Sequence, residues 1–395
     1  MNVPDIRLQN LLDSLVGSRH AFALYRLPWT DECHLVLQTS DKPVTLDHIE
    51  ALSGQKGFVI APFQSSAKHP LVLIRPEVTA YDWPEIEEAL NALSKEFFIS
   101  VPEKSENYGD TEVSDSMEVP DMEKAPALTQ EEDAKPRYQE AFARFIQPLQ
   151  SETFQKLVLS RSCTQPVDED FSPIQAFVRA CNAYPRMLIY LCHTPASGTW
   201  MGSTPEILLS GHGDEWHTVA LAGTMPLPPA EETCPWSAKN QEEQAFVADY
   251  IRRIVQIYGQ KIEEKGPYTA RAGQLVHLKT DFRFRMKDPQ RIGPLLNALH
   301  PTPAVCGLPK EEAFRFLLNE EGYDRRYYSG FIGWLDTTGT THLYVNLRCL
   351  EIHPHAVTLY AGGGILPLSE PDSEWTETEN KMQTMRHILQ APSKP

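Results

Sequence analysis

The stretch AGGGILPLSEPDSEWTETENK, from Ala361 to Lys381, places three consecutive glycines directly before a run of carboxylates. A nucleotide-binding P-loop has Lys-Ser or Lys-Thr right after its glycines, at the start of a helix. In this chain Ile365, Leu366 and Pro367 follow the glycines instead, so the spacing excludes a P-loop. The glycines therefore make room for something other than a nucleotide phosphate.

The acidic residues that follow have helical spacing. Glu374, Glu377 and Lys381 stand at positions i, i+3 and i+7, which share one face of a helix. Glu243 lies on the first turn of another predicted helix, on its apolar stripe. Sparse carboxylates without a His or Cys cluster suit Mg²⁺, which takes few protein ligands. An ordinary i,i+4 ion pair between Glu377 and Lys381, worth about 0.3–0.5 kcal/mol, explains the local pattern at least as well.

Composition narrows the classes of function. The chain has 395 residues and a net charge of −17, which argues against nucleic acid or an anionic membrane as the main partner. Its seven cysteines form no C-x-x-C pair, which fits reduced thiols in a cytosol. The N-terminal segment carries charges where a signal peptide needs an apolar core, and no apolar run could span a bilayer. We therefore expect a cytoplasmic protein, with a monomer as the default.

The chain divides into three parts. Residues 1–101 contain short strand-like runs and no recognisable chemical motif. Residues 102–136 are acidic, poor in large apolar residues and flanked by prolines, which predicts a mobile loop or linker. The motifs discussed below all lie in residues 137–395, the expected catalytic region.

The elements of the C-terminal region predict an α+β fold. Ser172-Pro173 and Ser237 are good starts for helices. The segments WMGSTPEILLSG and THLYVNLRCLEI each suggest one strand among many. Hairpin-like connections outnumber βαβ units, so we expect large antiparallel sheets and not a doubly wound sheet.

Two residues on strand ends are candidates for acid–base chemistry. Lys156 begins the run KLVLSR and shares a strand face with Val158, so it could point inward, where a desolvated lysine can act as a base. Glu206 follows Pro205 among apolar residues, which could raise its pKa and make it a general acid. Taken singly, each residue fits an exposed strand end better.

The segment HPTPAVCG, from His300 to Gly307, is a further candidate. Its prolines prevent a regular helix, and its last residue is glycine. We expect a shaped loop whose backbone, near Ala304, can approach a ligand.

These signals occur together in one order that resembles the chorismate-utilising enzymes. The match runs from about Phe154 to the C-terminus. It rests on the segments KLVLSR, GSTPEILL, LAGT, HPTPAVCG, YSGFIG, LRC and AGGGI…SEW-x-ET-x-x-K. The resemblance implies large antiparallel sheets flanked by helices, with the N-terminal third in the same body.

Three positions favour the isochorismate synthases within this family. Lys156 stands where anthranilate synthase has glutamine. Ala222 stands where the aminodeoxychorismate enzyme has a nucleophilic lysine. The loop HPTPAVCG is similar to the isochorismate synthase version. The implied reaction is the isomerisation of chorismate to isochorismate, for menaquinone or for a siderophore. The alternatives are a salicylate synthase, which goes on to eliminate pyruvate, and a non-catalytic chorismate-binding protein.

The resemblance also implies roles for individual residues. Lys156 deprotonates water for attack at C2 of chorismate, and Glu206 protonates the departing C4 hydroxyl. Mg²⁺ is held by Glu243 and Glu377 with Glu374 in support. Substrate contacts are expected from Gly223, Thr224, Ala304, Arg348, Gly363 and Lys381.

The chain departs from the family pattern at two positions. Gln244 replaces a usual histidine, so it is in question whether the neighbour of the metal-binding Glu243 influences that carboxylate as it does in the family. The sequence AGGG replaces AGAG, which we expect to be harmless.

Overall fold

The computed structural model describes residues 1–40, 42–93, 126–229 and 234–390, which form four layers. Two nine-stranded sheets pack face to face, and helices cover their outer faces. Neighbouring strands within these residues pair antiparallel throughout. The prediction of an α+β fold with large antiparallel sheets is confirmed.

The elements have the following bounds. The first sheet consists, in spatial order, of β14 (Gly307–Leu308), β7 (Lys156–Pro166), β18 (Ala356–Ile365), β17 (Cys349–His353), β9 (Gly198–Thr204), β8 (Leu188–Thr194), β1 (Ala21–Arg26), β2 (His34–Gln38) and β6 (Val78–Tyr81). The second sheet consists of β12 (Gly259–Ala272), β13 (Leu275–Met286), β11 (Glu215–Pro226), β10 (Ile207–His212), β16 (Thr340–Val345), β15 (Phe331–Asp336), β4 (Lys56–Ala61), β5 (Leu71–Ile74) and β3 (Val44–Leu46). The helices are α1 (Ile6–Leu15), α2 (Asp82–Ala92), α3 (Glu131–Gln150), α4 (Pro173–Ala183), α5 (Ala238–Tyr258), α6 (Ile292–Leu299), α7 (Lys310–Glu320) and α8 (Pro371–Leu389).

Side-chain alternation explains why central strands are buried on both faces. In β1, Phe22 and Leu24 pack under the helices, whereas Ala21, Ala23 and Tyr25 lie between the two sheets. A strand covered on both faces is buried at every position and is mostly apolar, as β1 is from Ala21 to Tyr25. The N-terminal third supplies three strands to each sheet, β1, β2 and β6 to the first and β3, β4 and β5 to the second.

Two segments expected to be single strands are each divided between the sheets, so that prediction was wrong. The first segment leaves β9 at Pro205 and enters β10 of the other sheet, and the second leaves β16 and enters β17 through Arg348. Pro205 has no N–H to continue the ladder, and Arg348 has a positive φ of 47°. The chain therefore crosses between the sheets at these two points.

The predicted linker at 102–136 is wrong at its C-terminal end. Residues 102–125 lie outside the described part of the chain, but α3 begins at Glu131. Before it, the Thr129 N–H donates to the Thr164 carbonyl oxygen at 2.9 Å. Helix α3 forms because Phe142, Phe145 and Leu149 bury an apolar stripe against β7 and α7. None of the described helices is long and apolar enough to cross a membrane.

Candidate active site

The two crossovers between the sheets lie side by side and place two charged side chains together. The Val345 N–H donates to the Glu206 carbonyl oxygen at 2.9 Å, and the Ser203 N–H donates to the Arg348 carbonyl oxygen at 2.9 Å. Each crossover thus satisfies backbone groups that the other exposes. Glu206 and Arg348 are held where the two sheets meet, at the edge of a cleft.

Glu206 is a buried carboxyl group that faces this cleft. It is 2% exposed, and the Thr302 hydroxyl donates to its Oε1 at a long 3.5 Å. Burial raises the pKa of Glu206 to about 8, against the opposing effect of Lys156. The group therefore carries a proton at neutral pH and can give it to a substrate.

Arg348 is a buried guanidinium that forms no ion pair with the described residues. Within the described part of the chain its side-chain partners are neutral: His277 Nε2 at 3.0 Å and the Thr384 hydroxyl at 3.4 Å. Burial lowers the pKa of Arg348 to about 10, so it remains charged at neutral pH. Burial, followed by the charge of Arg348, holds the pKa of His277 well below its usual value. A buried cation at a cleft that has no ion-pair partner is suited to bind an anion.

His277 connects Arg348 to strand β11. Its Nδ1 lies 3.0 Å from the Gly223 carbonyl oxygen, which only accepts, so Nδ1 carries the proton and Nε2 accepts from Arg348. The Thr224 hydroxyl lies 3.2 Å from the same Nδ1. Gly223 has a φ of +71°, which a residue with a side chain rarely adopts.

The glycines of β18 provide space for the acidic side chains. A Cβ on Gly364 would lie 2.0 Å from Glu243 Oε1, and a Cβ on Gly363 would lie 3.2 Å from Glu377 Oε1 and 3.4 Å from Glu374 Oε2. Carboxylates from α5 and α8 therefore converge on the bare backbone of this strand. The glycine run admits carboxylates, and it does not form a phosphate cradle.

Each of these carboxylates is paired with a lysine. Lys156 Nζ, fully buried, lies 2.9 Å from Glu243 Oε1. Lys381 Nζ lies 2.6 Å from Glu377 Oε1 and donates to the Gly362 carbonyl oxygen at 2.8 Å. Lys239 pairs with Glu374. Burial alone would raise the pKa of Glu243, but Lys156 and Lys239 outweigh it, so the pKa is lowered and the group is ionised.

The cleft contains about 590 Å³ of empty space, including the open solvent at its mouth. Eight of the residues singled out in the sequence line it: Glu206, Gly223, Thr224, Glu243, Ala304, Arg348, Gly363 and Lys381. Lys156, Glu374 and Glu377 reach it through their contacts with Glu243 or the glycines. The structure thus brings together all the residues singled out, and their catalytic and binding roles remain predictions.

Residues 88–390 match the protein family described as chorismate binding enzyme. The chain belongs to that family. The salicylate biosynthesis isochorismate synthase of Pseudomonas aeruginosa is 33% identical over 246 residues, which cover 60% of this chain and 51% of the relative. The vibriobactin-specific isochorismate synthase of Vibrio cholerae is 34% identical over 194 residues, 47% of this chain and 49% of the relative. The chain spans about half the length of these curated relatives.

The fold agrees with a solved structure of the family. The structure of MenF, the menaquinone-specific isochorismate synthase of Escherichia coli, superposes with a TM-score of 0.74 at 20% identity. The superposition covers 98% of this chain and 92% of that chain. At this identity the comparison shows the fold alone, and the fold is that of the chorismate-utilising enzymes.

Two residues of this chorismate binding enzyme's site were missed in the sequence. Lys239 stands four residues before Glu243 on α5, a spacing that puts both on one helix face and could have pointed to it. His277 meets Thr224 across the strands only because the register of β11 and β13 shifts between Ala222 and Thr224. The sequence gives no signal for that shift beyond the glycine at 223.

Gln244, which replaces the usual histidine of the family, makes structural contacts. Its Nε2 donates to the Ala220 carbonyl oxygen at 3.2 Å and to the Thr280 hydroxyl at 3.0 Å. These bonds tie the first turns of α5 to strands β11 and β13. Glutamine thus fixes the helix that carries Glu243 with a group that does not change charge with pH.

If this chain turns over chorismate as the family resemblance implies, Gly364→Ala is expected to lower that rate at least about 100-fold, because the new Cβ pushes the Glu243 carboxylate away from Lys156. Initial rates with chorismate measure this effect. An unchanged unfolding midpoint would show that the site and not the fold is affected. An alanine variant that turns over at the native rate would contradict the assigned packing.

Proposed function

We propose that this chain is an isochorismate synthase, which converts chorismate to isochorismate. The observation that carries the proposal is geometric: the buried carboxyl group of Glu206 lines the cleft, and the buried amine of Lys156 lies behind Glu243, close enough to Glu206 to affect its pKa. Addition of water at one carbon and loss of hydroxide at another need one base and one acid. The two relatives named as isochorismate synthases support the same reaction.

The residues of this chain divide the reaction between them. Arg348 binds a carboxylate of chorismate, since its hydrogen-bond partners in the described residues are neutral and it lines the cleft. Lys156 takes a proton from water, the hydroxide adds at C2, and the two ring double bonds shift. The C4–O bond breaks, and Glu206 gives its proton to the departing hydroxyl, which leaves as water. One water is consumed and one is released, so substrate and product are isomers.

A base needs a free lone pair to take a proton, whereas the Lys156 amine is held in an ion pair with Glu243 at 2.9 Å. Glu243 must therefore engage another cation during turnover. The acidic residues on the glycine strand suit a hard divalent cation, because they offer oxygen donors and because Glu374 Oε2 is buried and accepts no hydrogen bond from the described residues. As placed, no three His, Cys, Asp or Glu side chains of the described residues are close enough together to hold a metal.

We infer that Glu243 and Glu377, supported by Glu374, hold Mg²⁺. When bound there, Mg²⁺ would neutralise the ring carboxylate of the substrate. It would also hold Glu243 apart from Lys156. Small rotations of the carboxylates away from their lysine partners would be needed to bind it.

Excess EDTA is expected to abolish turnover, and added Mg²⁺ to restore it, because without the cation Glu243 stays paired with Lys156 and the ring carboxylate of the substrate lacks a counter-charge. The rate is measured by following chorismate consumption before and after chelation. Turnover that continues at the native rate in EDTA would remove Glu243 and Glu377 from the metal role.

The products distinguish the proposed reaction from its alternatives. Purified protein is incubated with chorismate and Mg²⁺, and the products are separated by chromatography. Isochorismate without pyruvate supports the proposal. Salicylate with pyruvate would assign a salicylate synthase, and a folded protein that consumes no chorismate would be a binding protein. Whether the product serves menaquinone or a siderophore depends on partner enzymes.

A further inference from the structure

The acidic side chains on the glycine strand form a cluster with no net charge. Glu243, Glu374 and Glu377 have three formal negative charges, and three lysine ammoniums pair with them one to one. Burial and the charge of Glu377 raise the pKa of Glu374, which further reduces the negative charge of the cluster. A neutral cluster has little electrostatic attraction for a cation. A divalent cation that enters it must therefore displace at least one ammonium.

Lys239 is the ammonium best placed to be displaced. Lys156 is fully buried and Lys381 is held by the Gly362 carbonyl oxygen, whereas the Lys239 side chain is 26% exposed and has a path to solvent. Burial alone would lower its pKa, but Glu374, Glu377 and Glu243 outweigh burial and raise it. The Lys239 ammonium thus lies within the field of all three carboxylates, and the proposed reaction gives it no task.

Glu374 provides a second, independent observation. Its side chain is 2% exposed, one oxygen bonds Lys239, and the other accepts no hydrogen bond from the described residues. That free oxygen lies 3.4 Å from where a Cβ of Gly363 would be, and Gly363 lines the cleft. A buried carboxylate oxygen without a donor is costly unless a cation serves it.

We propose that Lys239 is an internal counter-cation that occupies the carboxylate site in the absence of divalent metal and competes with the metal for it. This inference rests on the proposed metal role of Glu243 and Glu377. The free protein binds a divalent cation weakly because Lys239 repels it. A substrate with two carboxylates compensates for the added charge, so metal and substrate enter the site together.

The test measures metal binding directly, without chorismate. Mn²⁺ is titrated into the full chain, and free Mn²⁺ is followed by electron paramagnetic resonance. Lys239→Met, which keeps the aliphatic chain and removes the charge, is expected to bind at least about tenfold more tightly than the native protein. Lys239→Arg keeps the charge and is expected to bind as weakly as the native protein.

Lys135 provides a matched control, because it pairs with a carboxylate of the same helix, α8, as Lys239 does. Its ammonium pairs with Asp372 of α8 at 2.9 Å, but at the exposed surface. Lys135→Met removes the same charge and is expected to leave Mn²⁺ binding unchanged. If Lys239→Met fails to fold, Lys239→Gln makes the same comparison with a polar side chain beside Glu374.

Two results would overturn the inference. The first leaves the proposed metal site valid, and the second does not. If Lys239→Met binds Mn²⁺ no more tightly than the native protein, while Glu377→Gln abolishes binding with chorismate present, Lys239 does not compete and the metal site stands. If neither the native protein nor any variant binds Mn²⁺, even with chorismate added, the metal site itself is wrong and the inference fails with it.

Discussion

Lys156→Ala is expected to lower kcat by about 10²–10⁴, the usual contribution of a general base. Lys156 is fully buried at the start of β7, and its Nζ lies 2.9 Å from Glu243 Oε1. Without it, no other amine in the described residues is both buried and paired with this carboxylate. The loss is expected in kcat, because Arg348 still binds the substrate carboxylate.

The same substitution affects stability, and a second variant separates the two effects. Breaking a buried ion pair by removing one partner typically costs about 3–5 kcal/mol, although Lys239 and Lys381 remain near Glu243 and reduce that cost here. Lys156→Gln keeps a hydrogen-bond donor beside Glu243 but has no basic amine. Steady-state rates and thermal unfolding are measured for both variants. A folded Lys156→Gln protein with native kcat would disprove the role of Lys156 as the base.

Glu206→Gln is expected to lower kcat by about 10²–10⁴, because glutamine has the shape of the protonated acid but gives no proton. The native enzyme provides an internal check. Burial raises the pKa of Glu206 to about 8, so the protonated form needed for catalysis is present below that pH and is lost above it. The value of kcat/KM is therefore expected to fall as the pH rises through about 8.

The pH profile of the variant provides the control. The residual activity of Glu206→Gln is expected to lack the fall near pH 8 that the native profile has. A native profile that stays level through this pH, or a variant that keeps the same fall, would assign the acid to another group.

The fold class was predictable from the sequence, but the division of strands between sheets was not. Apolar alternation identifies strands, and the residues before and after Pro205, and before and after Arg348, all have a strand-like pattern. Which sheet a strand joins depends on long-range pairing, such as the bonds between the two crossovers. Local pattern therefore finds the strands and misses the change of sheet, which positions Glu206 and Arg348.

The burial of charged side chains was the second feature that the sequence did not predict. Taken singly, Lys156 and Glu206 fit exposed strand ends, because lysine and glutamate are rarely buried alone. Both are buried here, Glu206 because it faces the cleft and Lys156 because it has a carboxylate partner from a distant helix. Sequence spacing gave the pair Glu377 and Lys381, which are neighbours on one helix. It gave no sign of contacts between elements, such as that of Arg348 with His277.

The most direct test of the proposed reaction follows the oxygen of water. The protein is incubated with chorismate and Mg²⁺ in water enriched in oxygen-18, and isochorismate is analysed by mass spectrometry at an early time. We expect isochorismate with one oxygen-18 atom in its C2 hydroxyl, because Lys156 activates water and the C4 hydroxyl leaves. Isochorismate without label, or no isochorismate from a folded protein, would contradict the assignment of Lys156 and Glu206 as base and acid.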